Sequence, residues 1–82
     1  MWKARIQVTL KESVLDPQGE TVEKALKTLG YLNVEDVRVG KYLEVTVEGR
    51  DKEDVEKQVV EMCQRLLTNP VIEDYTFEVT EA

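Results

Sequence analysis

Between Val34 and Glu48 the chain reads Val34-Glu35-Asp36-Val37-Arg38-Val39-Gly40-Lys41-Tyr42-Leu43-Glu44-Val45-Thr46-Val47-Glu48. Val37, Val39, Leu43, Val45 and Val47 all fall on odd positions, the period of a strand with one apolar face. If two strands fold back around Gly40, the loop length decides which faces meet. A two-residue loop at Gly40-Lys41 pairs Val39 with Tyr42 and Val37 with Glu44, which mixes the faces. A three-residue loop over Gly40-Lys41-Tyr42 pairs Val39 with Leu43 and Val37 with Val45, and keeps the apolar set together as register requires. The stretch therefore predicts a three-residue hairpin, with Gly40 or a neighbour at positive φ.

Upstream, Trp2, Ala4, Ile6, Val8 and Leu10 alternate with Lys3, Arg5, Gln7, Thr9 and Lys11. That is a strand in a sheet covered on one side, which favours an antiparallel or mixed arrangement. Asp16-Pro17 then reads as a helix start, with Val22, Ala25, Leu26 and Leu29 at helical spacing and Gly30 as the left-handed stop. Gly19 weakens the first turn, so regular helix is expected from Glu20. Downstream, Asp51 caps a second helix with Glu53 and Asp54 in its first turn. Val55, Val59, Met62, Cys63 and Leu66 form its stripe, and Asn69-Pro70 stops it. Tyr75, Phe77 and Val79 alternate with Thr76, Glu78 and Thr80 as a last strand. The expected order is β-α-β-β-α-β: an α+β, two-layer ferredoxin-like sandwich, with a four-stranded, mainly antiparallel sheet and both helices on one face.

Length and charge bound what such a domain does. Eighty-two residues make one domain, 1–82, with no linker or low-complexity tract. A chain this short buries only roughly 60–65% of its unfolded surface, so self-association or docking on a larger partner is the usual remedy. The formal net charge of −6 repels phosphate backbones, and the strands lack interleaved aromatics, so nucleic-acid binding is not expected. No apolar run suffices to span a bilayer and the N-terminus lacks a secretory h-region; the chain reads as cytoplasmic. The single cysteine, Cys63, excludes an intramolecular disulfide and lies on an apolar stripe, as a buried inert thiol does.

With no histidine, a Cys–His or Ser–His nucleophile lacks its base and a Cys/His zinc site lacks ligands. The four glycines never cluster into a phosphate-cradling loop, and Gly40-Lys41 is explained by turn chemistry. Carboxylate pairs occur at Glu35-Asp36, Glu53-Asp54 and Glu73-Asp74, as any acidic protein provides in solvated loops and helix starts. No catalytic, cofactor-binding or metal-ligating residue is expected in this chain.

Several motifs together resemble the PurS family, the small subunits of phosphoribosylformylglycinamidine synthase. They are Leu10-Lys11, Val14-Leu15-Asp16-Pro17-Gln18-Gly19, Ala25-Leu26, Leu29-Gly30-Tyr31, Val37-Arg38-Val39-Gly40-Lys41, Met62-Cys63, Leu66-Leu67, and Asn69-Pro70-Val71-Ile72-Glu73-Asp74-Tyr75. The resemblance spans nearly the whole chain. It implies a non-catalytic subunit of a glutamine-dependent C–N ligase of purine biosynthesis. In that complex a large subunit binds ATP, with Mg, and the ribonucleotide, while a glutaminase subunit releases ammonia. The small subunit, a homodimer or higher homo-oligomer, bridges the two and supports ammonia transfer. Partner contacts are then expected at Lys11, at the turn Asp16, Pro17, Gln18 and Gly19, at Arg38, Gly40 and Lys41, and at Asn69, Pro70 and Asp74. Each also has a local structural reason: a helix start, a turn or a helix stop. The alternative is a free-standing domain that senses a small metabolite.

Overall fold

A computed structural model describes all of residues 1–82. The elements run β1 (Trp2–Leu10), α1 (Pro17–Thr28), β2 (Gly40–Val47), α2 (Lys52–Met62), a π-helical turn (Cys63–Leu67) and β3 (Glu73–Glu81). The sheet has three strands, not four, in the order β2-β1-β3, both pairs antiparallel. The molecule is α+β, but the ferredoxin-like β-α-β-β-α-β order is replaced by β-α-β-α-β.

The missing strand is the first arm of the expected hairpin. It would have paired along the outer edge of β2, which stays free in the order β2-β1-β3. The segment before Gly40 is turned to another use: the Val39 N–H donates to the Asp16 carboxylate at 2.8 Å instead of to a neighbouring strand. Gly40 therefore opens β2 rather than a turn, opposite Thr9. It carries no positive φ; the only glycine that does is Gly30, at 103°. The odd-position reading survives for Leu43, Val45 and Val47, which stand opposite Ile6, Ala4 and Trp2 on the core face.

β1 is the middle strand and alternates cleanly. Ala4, Ile6 and Val8 are fully buried while Gln7 and Thr9 are exposed. On the core face, Ile6 has Leu43 on one side and Phe77 on the other, and Ala4 has Val45 and Val79. α2 closes this face with Val55, Val59 and Cys63, completing a small core with Val47. Asp51 caps α2 by accepting the Asp54 N–H at 2.8 Å. The apolar stripe then departs from α-helical spacing: Thr68 N–H and Oγ1 both return to the Cys63 carbonyl, at 3.0 and 2.8 Å. Closing over five residues adds one residue to the turn, so Leu67 meets the core and Leu66 is turned to solvent.

α1 does not join the second layer, contrary to the expectation of two helices on one face. None of its side chains enters the core; Val22, Leu29 and the following Tyr31 and Leu32 are exposed. The helix and the return to Gly40 form an arm beyond the end of the sheet, and the molecule measures 51 × 26 × 14 Å. Its radius of gyration, 16.2 Å, exceeds the about 12 Å of a compact chain of this length.

Candidate functional site

Three strand ends meet where the arm leaves the body, since Thr9 faces Gly40 and Leu10 faces Glu73. The antiparallel register thus collects at one edge the expected contact residues, which the chain scatters from Lys11 to Asp74.

Asp16 organises this edge. Its extended backbone makes it the N-cap of α1, and Oδ1 accepts the Gly19 N–H at 2.9 Å. Its other oxygen, Oδ2, accepts the Val39 N–H at 2.8 Å, tying the start of the arm to its end. The carboxylate is buried, and those two N–H groups, the Gly19 bond first, hold its pKa below the ordinary 3.8. Burial opposes this and the Arg38 guanidinium assists it. Pro17 occupies the first helical turn, where its absent N–H costs nothing, so helix begins at Pro17 rather than at Glu20. Gly19 is buried because the arm's return passes directly over it: a Cβ there would lie 2.1 Å from the Val37 carbonyl oxygen.

Arg38 works through the backbone. Its Nη2 donates to the carbonyls of Leu10 and Lys11 at 3.1 and 2.8 Å, holding the last turn of the return against the exit from β1. Lys11 Nζ meets Asp74 Oδ1 at 2.7 Å, and the Lys11 N–H donates to the Ile72 carbonyl at 2.8 Å. Ile72 belongs to the turn that Asn69 builds. Asn69 Oδ1 accepts the Val71 N–H, and its carbonyl accepts the N–H groups of Ile72 and Glu73. Asn69 and Pro70 are therefore joined to the edge through that turn. Gly40 lies close under Val8, where a Cβ would sit 2.2 Å from the Val8 carbonyl oxygen. Pro17, Gln18, Gly40, Lys41 and Glu73 border an open groove of about 460 Å³. Lys41 has no carboxylate within ion-pairing distance.

The expected residues thus form one connected edge. Val37 and Val39 were missing from the expectation because strand periodicity assigns them to a ladder; their part is backbone, against Gly19 and Asp16. The acidic residue placed three before a glycine was the available signal, since a cap with a second free oxygen can take another N–H. Nucleophile–base geometry is absent from the edge. No three carboxylates or thiols are placed to hold a metal ion. Cys63 lies away from it in the core, and burial pushes its thiol pKa up, which disfavours thiolate.

Fold and edge together define a small α+β protein: an antiparallel sheet backed by one helix, with an arm clasped to one end. Residues 3–81 match the model of the family PurS, phosphoribosylformylglycinamidine (FGAM) synthase. The chain is 54% identical over 81 residues to the phosphoribosylformylglycinamidine synthase subunit PurS of Bacillus subtilis, covering 99% of this chain and 95% of that protein. The crystal structure of Methanocaldococcus jannaschii PurS, a subunit of formylglycinamide ribonucleotide amidotransferase in the purine biosynthetic pathway, superposes with a TM-score of 0.89. That pair is 41% identical and covers 100% of this chain and 99% of the other. A chain of the PurLQS structure from Thermotoga maritima gives 0.88 at 37% identity, with 96% of each chain covered. The chain belongs to the PurS family.

Proposed function

We propose that this chain is the small subunit of phosphoribosylformylglycinamidine synthase, an adaptor that docks on the large and glutaminase subunits. The observation that carries this reading is the family match over residues 3–81, together with a relative of similar fold in the PurLQS structure. The large subunit binds ATP, Mg and the ribonucleotide; the glutaminase releases ammonia; this chain contributes surfaces and no catalytic group. Its edge supports that role, being built almost wholly from backbone-directed bonds and short turns. So does the arm, which leaves apolar side chains for other chains to cover, a second copy of this one among them.

The physical need for an adaptor is containment. Ammonia is mostly protonated at neutral pH and then cannot attack, so two active sites held in fixed relation shelter the path between them. The test is reconstitution. Co-purification with the large and glutaminase subunits, varying glutamine and ADP, is expected to yield a ternary complex, with glutamine-dependent synthesis restored only when all three are present. The isolated chain is expected to show neither glutaminase nor ATPase activity. Full glutamine-dependent activity of the other two subunits alone would remove the bridging role.

A further inference from the structure

Within this chain α1 has no side chain in the core, so what the chain itself contributes to its direction relative to the sheet is set where the arm joins the body. Three features meet there: Asp16 Oδ2 with the Val39 N–H at 2.8 Å, Arg38 Nη2 with the Leu10 and Lys11 carbonyls, and the close approach of Gly19 to the Val37 carbonyl. We infer that Asp16 is a positioning residue of the assembled synthase, whose carboxylate straps the returning end of the arm to the root of α1 and fixes the direction in which the arm projects. This inference rests on the adaptor reading above.

The geometry gives the carboxylate a task that a simple helix cap does not have. A cap needs one acceptor; Asp16 uses its two oxygens on two N–H groups 20 residues apart in sequence, Gly19 and Val39. Only 6% of its surface is exposed, so water has little access to replace either bond. The lever is long. A helix of 12 residues spans about 18 Å, and a swing of about 10° at its root moves the far end by about 3 Å. A misplacement of about 1 Å is enough to cost on the order of 100-fold where sites must align.

Asp16→Asn separates the two tasks. Asparagine is as good an N-cap, but its amide has one acceptor oxygen, and its NH₂ would confront the other N–H. With that oxygen on the Gly19 N–H the cap is kept and the strap is lost, and unchanged helix content identifies this orientation. Spin labels at Lys27→Cys on α1 and Glu48→Cys beyond β2, diluted with unlabelled chain and with buried Cys63 left in place, report the arm's direction. The expected result is a narrow distance distribution for the wild-type background and a broadened or displaced one for Asp16→Asn, with helix content by circular dichroism unchanged. In the reconstituted synthase at saturating subunit, glutamine-dependent synthesis is expected to fall about tenfold or more, while the rate with ammonium salt stays within about twofold. A merely structural role would not divide the two nitrogen sources. Arg38→Gln, which weakens the same junction and leaves the cap whole, gives the same readouts should Asp16→Asn fold poorly. Unchanged spin distances overturn the strap, and changed distances with undiminished glutamine-dependent synthesis overturn its role in the synthase. If the wild-type chain fails to support synthesis at all, the adaptor reading falls while the distance measurement still decides the strap.

Discussion

At Asp16 a single carboxylate closes a helix start and the return of the arm, so its charge matters to the fold. Sign follows from the direction of its shift. A carboxyl whose folded pKa lies below the ordinary 3.8 adds stability that is complete above that value and is lost as pH falls through the depressed folded value. Unfolding measured between pH 7 and pH 2 should show this as an acid-side loss in the wild type, and Asp16→Asn should flatten that limb. Gly19 makes the second residue-level prediction. With a Cβ only 2.1 Å from the Val37 carbonyl oxygen, Gly19→Ala forces backbone apart. Overpacking of this kind costs about 1–3 kcal/mol, a fall in Tm of roughly 4–8 °C per kcal/mol for a domain of this size. An unchanged melting curve would show that the two segments can separate freely. Cys63, fully buried with its thiol pKa raised, should resist a thiol reagent in the native state and react on addition of denaturant.

At the level of elements, the strands with clean alternation were legible, and the segment whose backbone is claimed by a side chain was not. β1, β3 and both helices lie near where periodicity and caps put them, because Asp16, Asp51 and Gly30 act locally. Val34–Val39 looks like a strand for the same local reason, but the Val39 N–H is spent on the Asp16 carboxylate and the outer edge of β2 is left unpaired. The position of α1 was equally beyond local reading: its apolar stripe says that something covers it, not what. Likewise the candidate edge was legible as a set of residues, while its connections ran through Val37, Val39 and Ile72 backbone atoms that carry no side-chain signature. Gly30 supplies the prediction at this scale. At φ 103° it ends α1, with the Tyr31 N–H returning to the Leu26 carbonyl at 3.1 Å. Nothing crowds its missing Cβ, so Gly30→Ala tests conformation alone, and about 1–2 kcal/mol of destabilisation is expected in chemical unfolding.

For the whole molecule, extension and exposed apolar surface go together. Leu29 and Leu32 are 74% and 79% exposed on an arm that adds length without adding core. If a second copy covers them, as the adaptor reading has it, apparent Tm should rise with protein concentration. Leu29→Glu with Leu32→Glu should then shift sedimentation toward a single chain. A wild-type chain that sediments as a monomer at every concentration would contradict this.

The strand order carries one more consequence, in time rather than space. β1 is synthesised first of the three strands, yet it lies between the other two and pairs with both. Its pairing with β3 joins Leu10 to Glu73 and Trp2 to Glu81, across nearly the full chain. On the ribosome, therefore, the central strand emerges with neither neighbour. It gains one when residues 40–47 appear, and completes the sheet only when β3 has been made. Buried Val79 arrives with β3. Such long-range closure folds slowly compared with local helix formation. The apolar central strand of the nascent chain is expected to wait, half paired, until β3 has emerged.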